Sequence, residues 1–404
     1  MKVAIVHDYL NQMGGAESII ELFHEEFPEA PIFTSIYDPE RMPERFRTMD
    51  IRTTWMQKLP LLSRLFRLYF PLYPFAFESI DLRGYDVVIS CTTAWTKGIL
   101  TDPSTCHVCY INTPMRFAWR PFDYLESENI PGPLRPLLSI LFHTLRIWDI
   151  SCIRRTDFLI GNSGNVANRI RKFYDRTSRV IYPPVDTDKY HISPEPEDYY
   201  LIISRSRAYK RIDIAIDAAM QLGLSLKIVG DGPDRRDLEL RAQRGHPGQK
   251  GGQPLHNIEF LGHVDDDDLA DLIAHARALI VTSEEDFGIT PLEANASGRP
   301  VIAYAAGGAL ETVIPANGYP DWVNNKVDLE QKELKPTGVF YFEKSVDSLV
   351  SILKSFDPTR FVPDELRAHA MRFDNKVFRR YIREFVTQCH EKHQEKFSKV
   401  EHHW

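Results

Sequence analysis

The sequence predicts an α/β protein of two doubly wound units, each built on a parallel sheet. Three observations carry that. Short apolar strands alternate with helical stretches, the pattern of a parallel sheet whose crossovers are helices. The alternation stops at Ile181-Tyr-Pro-Pro-Val-Asp186, where adjacent prolines mark an extended connector, and then begins again. The 404 residues, 43% of them hydrophobic, exceed what one core serves and suffice for two.

In order, Lys2–His7 reads as a strand, followed by a loop with Gly14-Gly15 and a helix from about Ala16 to Glu26. Val87–Ser90, His107–Ile111 and Phe158–Gly161 are further strands, and Val166–Phe173 is a helix. Past the connector, Tyr200–Ser204 is a strand and Arg211–Met220 a helix. Leu226–Val229 is a strand, and Gly230-Asp-Gly-Pro233 turns into another helix. Ile258–Leu261, Ala278–Thr282 and Val301–Tyr304 are later strands. Asp265–Asp268 precedes Leu269-Ala-Asp-Leu-Ile and reads as a helix start favoured by the dipole. Residues 245–254, rich in Gly, Pro and Gln, read as a flexible surface loop. The last helix, about Lys376 to Lys392, lies past the second unit and is placed back on the first. Two Rossmann-like units in one chain create a cleft between the carboxyl ends of two sheets, where ligands of this class bind.

A net charge of −7 gives no basic signature for nucleic acid. Five cysteines, an odd number, argue against a disulfide scaffold. Cys106 and Cys109 lie three apart on a strand and so face opposite sides, which suits buried thiols rather than a metal site. Met1-Lys-Val-Ala-Ile-Val6 reads as a strand rather than a signal peptide, so a cytoplasmic protein is expected. No run of 18 uncharged apolar residues occurs and no span is predicted. Two segments, Leu59–Phe70 and Leu137–Trp148, are nonetheless apolar and carry arginines in or beside them. They read either as core helices or as faces for a membrane interface.

The most chemically informative stretch is 283–300. Glu285 and Glu293 stand eight residues apart around a Gly-containing turn, after a buried strand and before a helix. Strand, turn and helix start make an anion cradle, and carboxylates beside it suit a ligand that is part phosphate and part polyol. A second reading is structural, with Thr290 as N-cap, Pro291 at N1 and Glu293 at N3 of a capping box. Five other loops also follow strands: Gly14-Gly15, Asn112–Trp119, Arg205 with Lys210, Gly230–Pro233 and Gly307–Glu311. Arg205 or Lys210 alone would read as a solvated charge. Grouped with the other loops at carboxyl ends of strands, they read as a site. His107, within its strand, reads as a core histidine.

Taken together, these residues resemble glycosyltransferase family 4, the retaining enzymes of GT-B fold, in the bacterial mannosyltransferase-like branch of surface-polysaccharide synthesis. The matching stretches are His7-Asp-Tyr with Gly14-Gly-Ala-Glu17, Ile181–Asp186, Ser204-Arg with Tyr209-Lys-Arg211, and Val229–Pro233. Phe260-Leu-Gly262, Glu284–Gly288 with Glu293-Ala294, and Gly307–Val313 complete them, so the resemblance runs from residue 1 to about 395.

The resemblance implies an acceptor-side unit over 1–185, with the helix at 376–404 packed back on it, and a nucleotide-sugar-binding unit over 186–375. Arg205 and Lys210 would hold the donor diphosphate, since two fixed cations can neutralise a leaving nucleoside diphosphate without a metal. Glu293 would bind ribose hydroxyls. Glu285 would accept from sugar hydroxyls and stabilise positive charge developing on the sugar ring. Phe287 and Gly288 would offer backbone N–H groups, and Gly14 and Gly15 would leave room for diphosphate or acceptor. Asn112 departs from the family's histidine at that position. Asparagine bonds a hydroxyl but cannot titrate, which removes general acid/base work there.

The resulting expectation is a metal-independent, retaining hexosyltransferase without a cofactor. The donor would be GDP-mannose first and a UDP-sugar second. The acceptor would be a saccharide or polyprenyl-linked oligosaccharide at the inner face of the cell membrane, reached through peripheral contact. Two other classes are a non-catalytic nucleotide-sugar binder, acting as sensor or scaffold, and a nucleotide-sugar epimerase of similar fold. Asn112 keeps the first open and counts against the second.

Overall fold

The computed structural model describes residues 1–127, 130–244, 257–320 and 334–401. It divides into two compact units, one of residues 1–183 and 376–404, the other of residues 184–375. The loop read at 245–254 lies outside the described residues.

The first unit is a seven-stranded parallel sheet: β1 (Val3–His7), β2 (Ile32–Thr34), β3 (Ile51–Thr53), β4 (Val87–Thr92), β5 (Cys106–Ile111), β6 (Phe158–Gly161) and β7 (Arg179–Val180). Their order is β3-β2-β1-β4-β5-β6-β7, so the winding reverses between β1 and β4. Every residue of β1, β4 and β5 is buried. That explains their near-continuous apolar runs, because helices cover both faces of such a sheet. Cys106 packs on one face, with Val108 and Tyr110, and Cys109 on the other, with Leu159 and Ile170.

The second unit is a six-stranded parallel sheet of β8 (Tyr200–Ile203), β9 (Leu226–Val229), β10 (Ile258–Gly262), β11 (Ala278–Val281), β12 (Val301–Tyr304) and β13 (Gly338–Tyr341). The order β10-β9-β8-β11-β12-β13 reverses between β8 and β11. β2, β3, β7 and β13 have no counterpart in the sequence reading. Three of them are two or three residues long, too short for a period to register.

The terminal helix Asn375–Glu401 belongs to the first unit and runs further than its apolar pattern indicated. Phe378, Ile382, Val386 and Cys389 form its buried stripe at helical spacing. Phe378 stacks on Phe23 at 6.0 Å and meets Tyr110 edge-on. Beside them the buried Glu26 accepts from Arg379 at 3.2 Å and from Arg383.

The two apolar, arginine-bearing segments differ from each other. Leu59–Phe70 is not one helix but short turns, including Leu62–Leu65, and it leaves Leu61 and Leu68 exposed. Leu137–Trp148 lies within the helix Arg135–Arg155. By length and composition Gly132–Arg155 could cross a membrane, at mean hydropathy 1.2. Its inner face argues for a packed helix. Asp149 is fully buried and holds Lys97 at 2.8 Å, Trp119 at 2.7 Å and Tyr174 at 2.7 Å. Removing one partner of such a pair costs about 3–5 kcal/mol, so this face is built into the unit. Leu137, Ile140 and Ile147 on the other side are exposed.

Candidate active site

In doubly wound sheets ligands bind beyond the carboxyl ends of the strands, where the strand order reverses. In the second unit that point lies between β8 and β11. The loop after β8 carries Arg205 and Lys210, and the loop after β11 carries Glu285. Lys210 Nζ donates to Glu285 Oε1, closing an ion pair across the reversal. Ser283 Oγ donates to the same carboxylate oxygen at 2.5 Å. Thr282 Oγ1 donates to the Lys210 carbonyl at 2.6 Å, fixing the backbone that bears the lysine. Arg205 is exposed, and its guanidinium bonds to no described residue. Among the described residues the group therefore offers one cation paired with a carboxylate and one exposed cation on the same loop.

Glycines hold these loops at backbone contact. A Cβ on Gly308 would lie 1.9 Å from the Phe287 carbonyl oxygen, and one on Gly307 2.3 Å from that of Glu285. Gly308 N–H donates to the Glu285 carbonyl at 2.9 Å. The turn after β12 thus buttresses residues 285–287 from below. Gly230 and Gly232 do the same for the loop of Arg205, where a Cβ would meet the Ser204 and Ser206 carbonyls at 2.4 and 2.2 Å. Gly288 adopts φ +81, which favours glycine, and Phe287 buries its ring against Phe373.

Glu293 lies on the helix Thr290–Ala296 that follows the loop of Glu285. The capping box is not formed: Ile289 takes the N-cap of the helix Thr290–Ala296, Thr290 lies inside the first turn, and no side chain caps it. Chain geometry places Thr290 one position too late to act as the cap. Glu293 instead meets Tyr190. Desolvation raises its pKa, against the Tyr190 hydrogen bond that lowers it, to about 7. Arg367 fixes that tyrosine by bonding the carbonyls of Tyr190 and Ala296 at 2.7 Å each, and that of Thr187 at 3.0 Å.

Asn112, Gly14 and Gly15 belong to the first unit. Asn112 follows β5, its backbone N–H donating to the Thr92 carbonyl at 2.9 Å and its side-chain amide to Cys91 Sγ at 3.2 Å. Gly14 is the N-cap of the helix Gly15–Glu26, and a Cβ on Gly15 would meet nothing within 4 Å. His107 is a core residue, bonded to Ser90 Oγ at 2.8 Å, with burial pushing its pKa down to about 3.

The sequence reading gave no role to Asp8, yet it organises the reversal between β1 and β4. Its carboxylate accepts from Thr93 N at 2.6 Å, Thr93 Oγ1 at 2.7 Å, Ala94 N at 3.0 Å, Trp95 N at 2.8 Å and Thr96 N at 2.9 Å. One side chain thereby shapes the whole loop after β4. His7 lies beneath, Nδ1 to the Cys91 carbonyl at 3.2 Å and Nε2 to Glu17 at 3.4 Å. Burial alone would lower its pKa, but the bonds to Cys91 and Glu17 hold it up at about 10. The signal for both was the His-Asp pair at a strand's end, legible only as part of a resemblance. Lys344 was also missed. Burial and Arg211 lower its pKa, against the charges of Glu284, Asp213 and Glu285 that raise it.

Comparison with known proteins bears on the same region. Residues 186–332 match the family model for glycosyl transferases group 1. The chain is 30% identical over 204 residues to the D-rhamnosyltransferase WbpZ of Pseudomonas aeruginosa, an alignment covering 46% of this chain and 48% of the relative. It is 29% identical over 369 residues to the alpha-1,3/1,6-mannosyltransferase alg2 of Schizosaccharomyces pombe, covering 79% and 70%. The chain spans about half the length of several curated relatives it matches. Among solved structures, HepE of Anabaena in complex with UDP-glucose superposes with a TM-score of 0.65 at 18% identity, over 96% of this chain and all of that one. The fold is GT-B. Together these likenesses support a GT-B glycosyltransferase.

Proposed function

We propose that the chain is a retaining hexosyltransferase that moves a hexose, mannose in the first instance, from a nucleotide diphosphate sugar to a saccharide or polyprenyl-linked oligosaccharide. The observation that carries this is the Lys210–Glu285 pair across the strand-order reversal of the second sheet, with Arg205 on the same loop. Arg205 and Lys210 would bind the diphosphate, and backbone N–H groups at Phe287 and Gly288 would add to that hold. Glu285, already fixed by Ser283, would accept from sugar hydroxyls and face the positive charge that builds on the ring. Glu293 would accept from ribose hydroxyls. The C1–O bond to phosphate breaks as the acceptor oxygen bonds C1 on the same face. The acceptor's proton passes to the departing phosphate oxygen. On this route the fixed cations do the work of a metal, and no residue need titrate at Asn112. Asn112 would contact the sugar, with Gly14 and Gly15 giving diphosphate or acceptor room in the first unit.

GDP-mannose is proposed as donor ahead of a UDP-sugar. The mannosyltransferase relative of fission yeast supports mannose as the sugar, and the UDP-glucose complex of HepE keeps a UDP-sugar open. Peripheral contact with the inner face of the cell membrane is supported by the exposed Leu137, Ile140 and Ile147, one side of a helix ending in Arg154-Arg155. The test is transfer from a panel of GDP- and UDP-sugars to lipid-linked saccharide acceptors, read by product mass and anomeric configuration. Transfer from GDP-mannose with retention is the expected result. Donor binding without turnover across the panel would instead mark a sensor or scaffold. Release of an altered nucleotide sugar without acceptor would mark an epimerase.

A further inference from the structure

The opposite edge of the first sheet carries a cluster that the proposed transfer does not use. Cys106 opens β5, Asp157 immediately precedes β6, and His393 lies on the terminal helix Asn375–Glu401. A thiol sulfur, a carboxylate oxygen and an imidazole nitrogen, one from each, lie within 4.8 Å of one another. Tetrahedral zinc with Zn–S about 2.3 Å and Zn–N about 2.0 Å sets such donors about 3.3–3.5 Å apart, so a small closure completes the site. The Asp157–His393 edge, at 3.6 Å, is already near that length.

The surrounding bonds aim these atoms. His393 Nε2 donates to the Pro103 carbonyl at 2.9 Å, which leaves the Nδ1 lone pair turned toward Asp157 and Cys106. The His107 backbone N–H donates to Asp157 Oδ2 at 2.9 Å, leaving Oδ1 toward the imidazole. Histidines that ligate metals ordinarily donate their other N–H to such an outer partner. A cavity of about 510 Å³ is lined among others by Thr105, next to Cys106 in sequence, and by His390 and Gln394 on the terminal helix.

We propose that Cys106, Asp157 and His393 bind one zinc ion, with solvent as the fourth ligand, and that the ion pins the terminal helix to the sheet of the first unit. Thiolate, imidazole and carboxylate together suit zinc rather than magnesium or calcium. The site is structural. It lies at the amino-terminal edge of the strands, away from the carboxyl-edge loops where donor and acceptor are proposed to bind. It revises the expectation that this thiol is merely buried. Binding releases the thiol proton, because the thiolate is the ligand.

Cobalt(II) added to the purified full-length chain is the probe, since a thiolate ligand gives it a sulfur-to-metal charge-transfer band. The expected result is one cobalt per chain with that band, abolished in Cys106→Ser and weakened at least tenfold in affinity in His393→Gln. Zinc should displace the cobalt, release a proton, and raise the melting temperature of wild type but not of Cys106→Ser. Histidines elsewhere that bind cobalt would give no thiolate band. Circular dichroism on both variants separates a lost ligand from a lost fold. Absence of the band in wild type, or an equal band in a folded Cys106→Ser, overturns the proposal.

Discussion

If Glu293 binds ribose hydroxyls, it must do so as a carboxylate, and its pKa of about 7 makes that pH-dependent. Donor affinity should then strengthen as pH rises from 6 to 8 and flatten above. Tyr190→Phe removes the hydrogen bond that opposes desolvation. A hydrogen bond to a charged group is worth about 1.5–3 kcal/mol, which is roughly 1–2 pKa units. The affinity transition in Tyr190→Phe should therefore move from about pH 7 to roughly 8–9, and wild type should bind about 3- to 25-fold better at pH 7.5. Glu293→Gln should bind without the transition and more weakly above it, by about 1–3 kcal/mol. Isothermal calorimetry with the nucleoside diphosphate at half-unit pH steps reads all three proteins. The sign also applies to stability. A carboxyl raised on folding costs stability as pH climbs from about 4.5 to 7, so Glu293→Gln should be the more stable protein above pH 7. A pH-flat wild-type affinity, or a Tyr190→Phe curve superposing on it, would refute the reasoning and return Glu293 to a packing role.

Four further outcomes are expected. Arg205→Ala and Lys210→Ala should each lower turnover by about two orders of magnitude, roughly 3 kcal/mol of leaving-group stabilisation, and near-normal rates in both would remove the diphosphate assignment. Gly308→Ala should displace residues 285–287 and cost at least about 1–3 kcal/mol by urea melting, whereas Gly15→Ala, with open space around it, should cost under about 1; equal effects would contradict the buttress. Asn112→Ala should weaken donor binding by about 1 kcal/mol and leave the pH–rate profile unchanged, while Asn112→His should fold normally; a new or lost titration in the alanine variant would argue for proton transfer there. The His7–Glu17 contact should stabilise the protein fully below pH 6.5 and lose that effect as pH rises toward 10, so the stability gap between wild type and Glu17→Gln should close over that window; a constant gap in denaturant titrations would mean His7 is not the charged partner.

The strands that anchor the site were legible because both faces of each are covered, which leaves runs such as Val87–Ile89 apolar throughout. The positions of Arg205, Lys210 and Glu285 followed from the same fact, since each comes just after such a run. What their spacing could not show is that Lys210 and Glu285 pair with each other, because that depends on β8 and β11 being neighbours despite two intervening strands. Asp8 escaped for the same reason. Its donors lie some 85 residues away, in the loop after a strand adjacent only in the sheet. The Thr290 cap failed through a one-residue shift at the helix start, where competing side-chain patterns differ by little.

The terminal helix has a consequence for how the protein is made. Its stripe covers Phe23 and Tyr110, residues synthesised among the first hundred or so. At about 5–20 residues per second, the roughly 190 residues of the second unit take on the order of ten to forty seconds to emerge before that helix exists. Through that interval the nascent first unit carries an apolar seam with no cover of its own. The ribosome thus delivers a finished second unit before the first is closed, and chains released early are the ones whose open seam invites capture by chaperones or by each other.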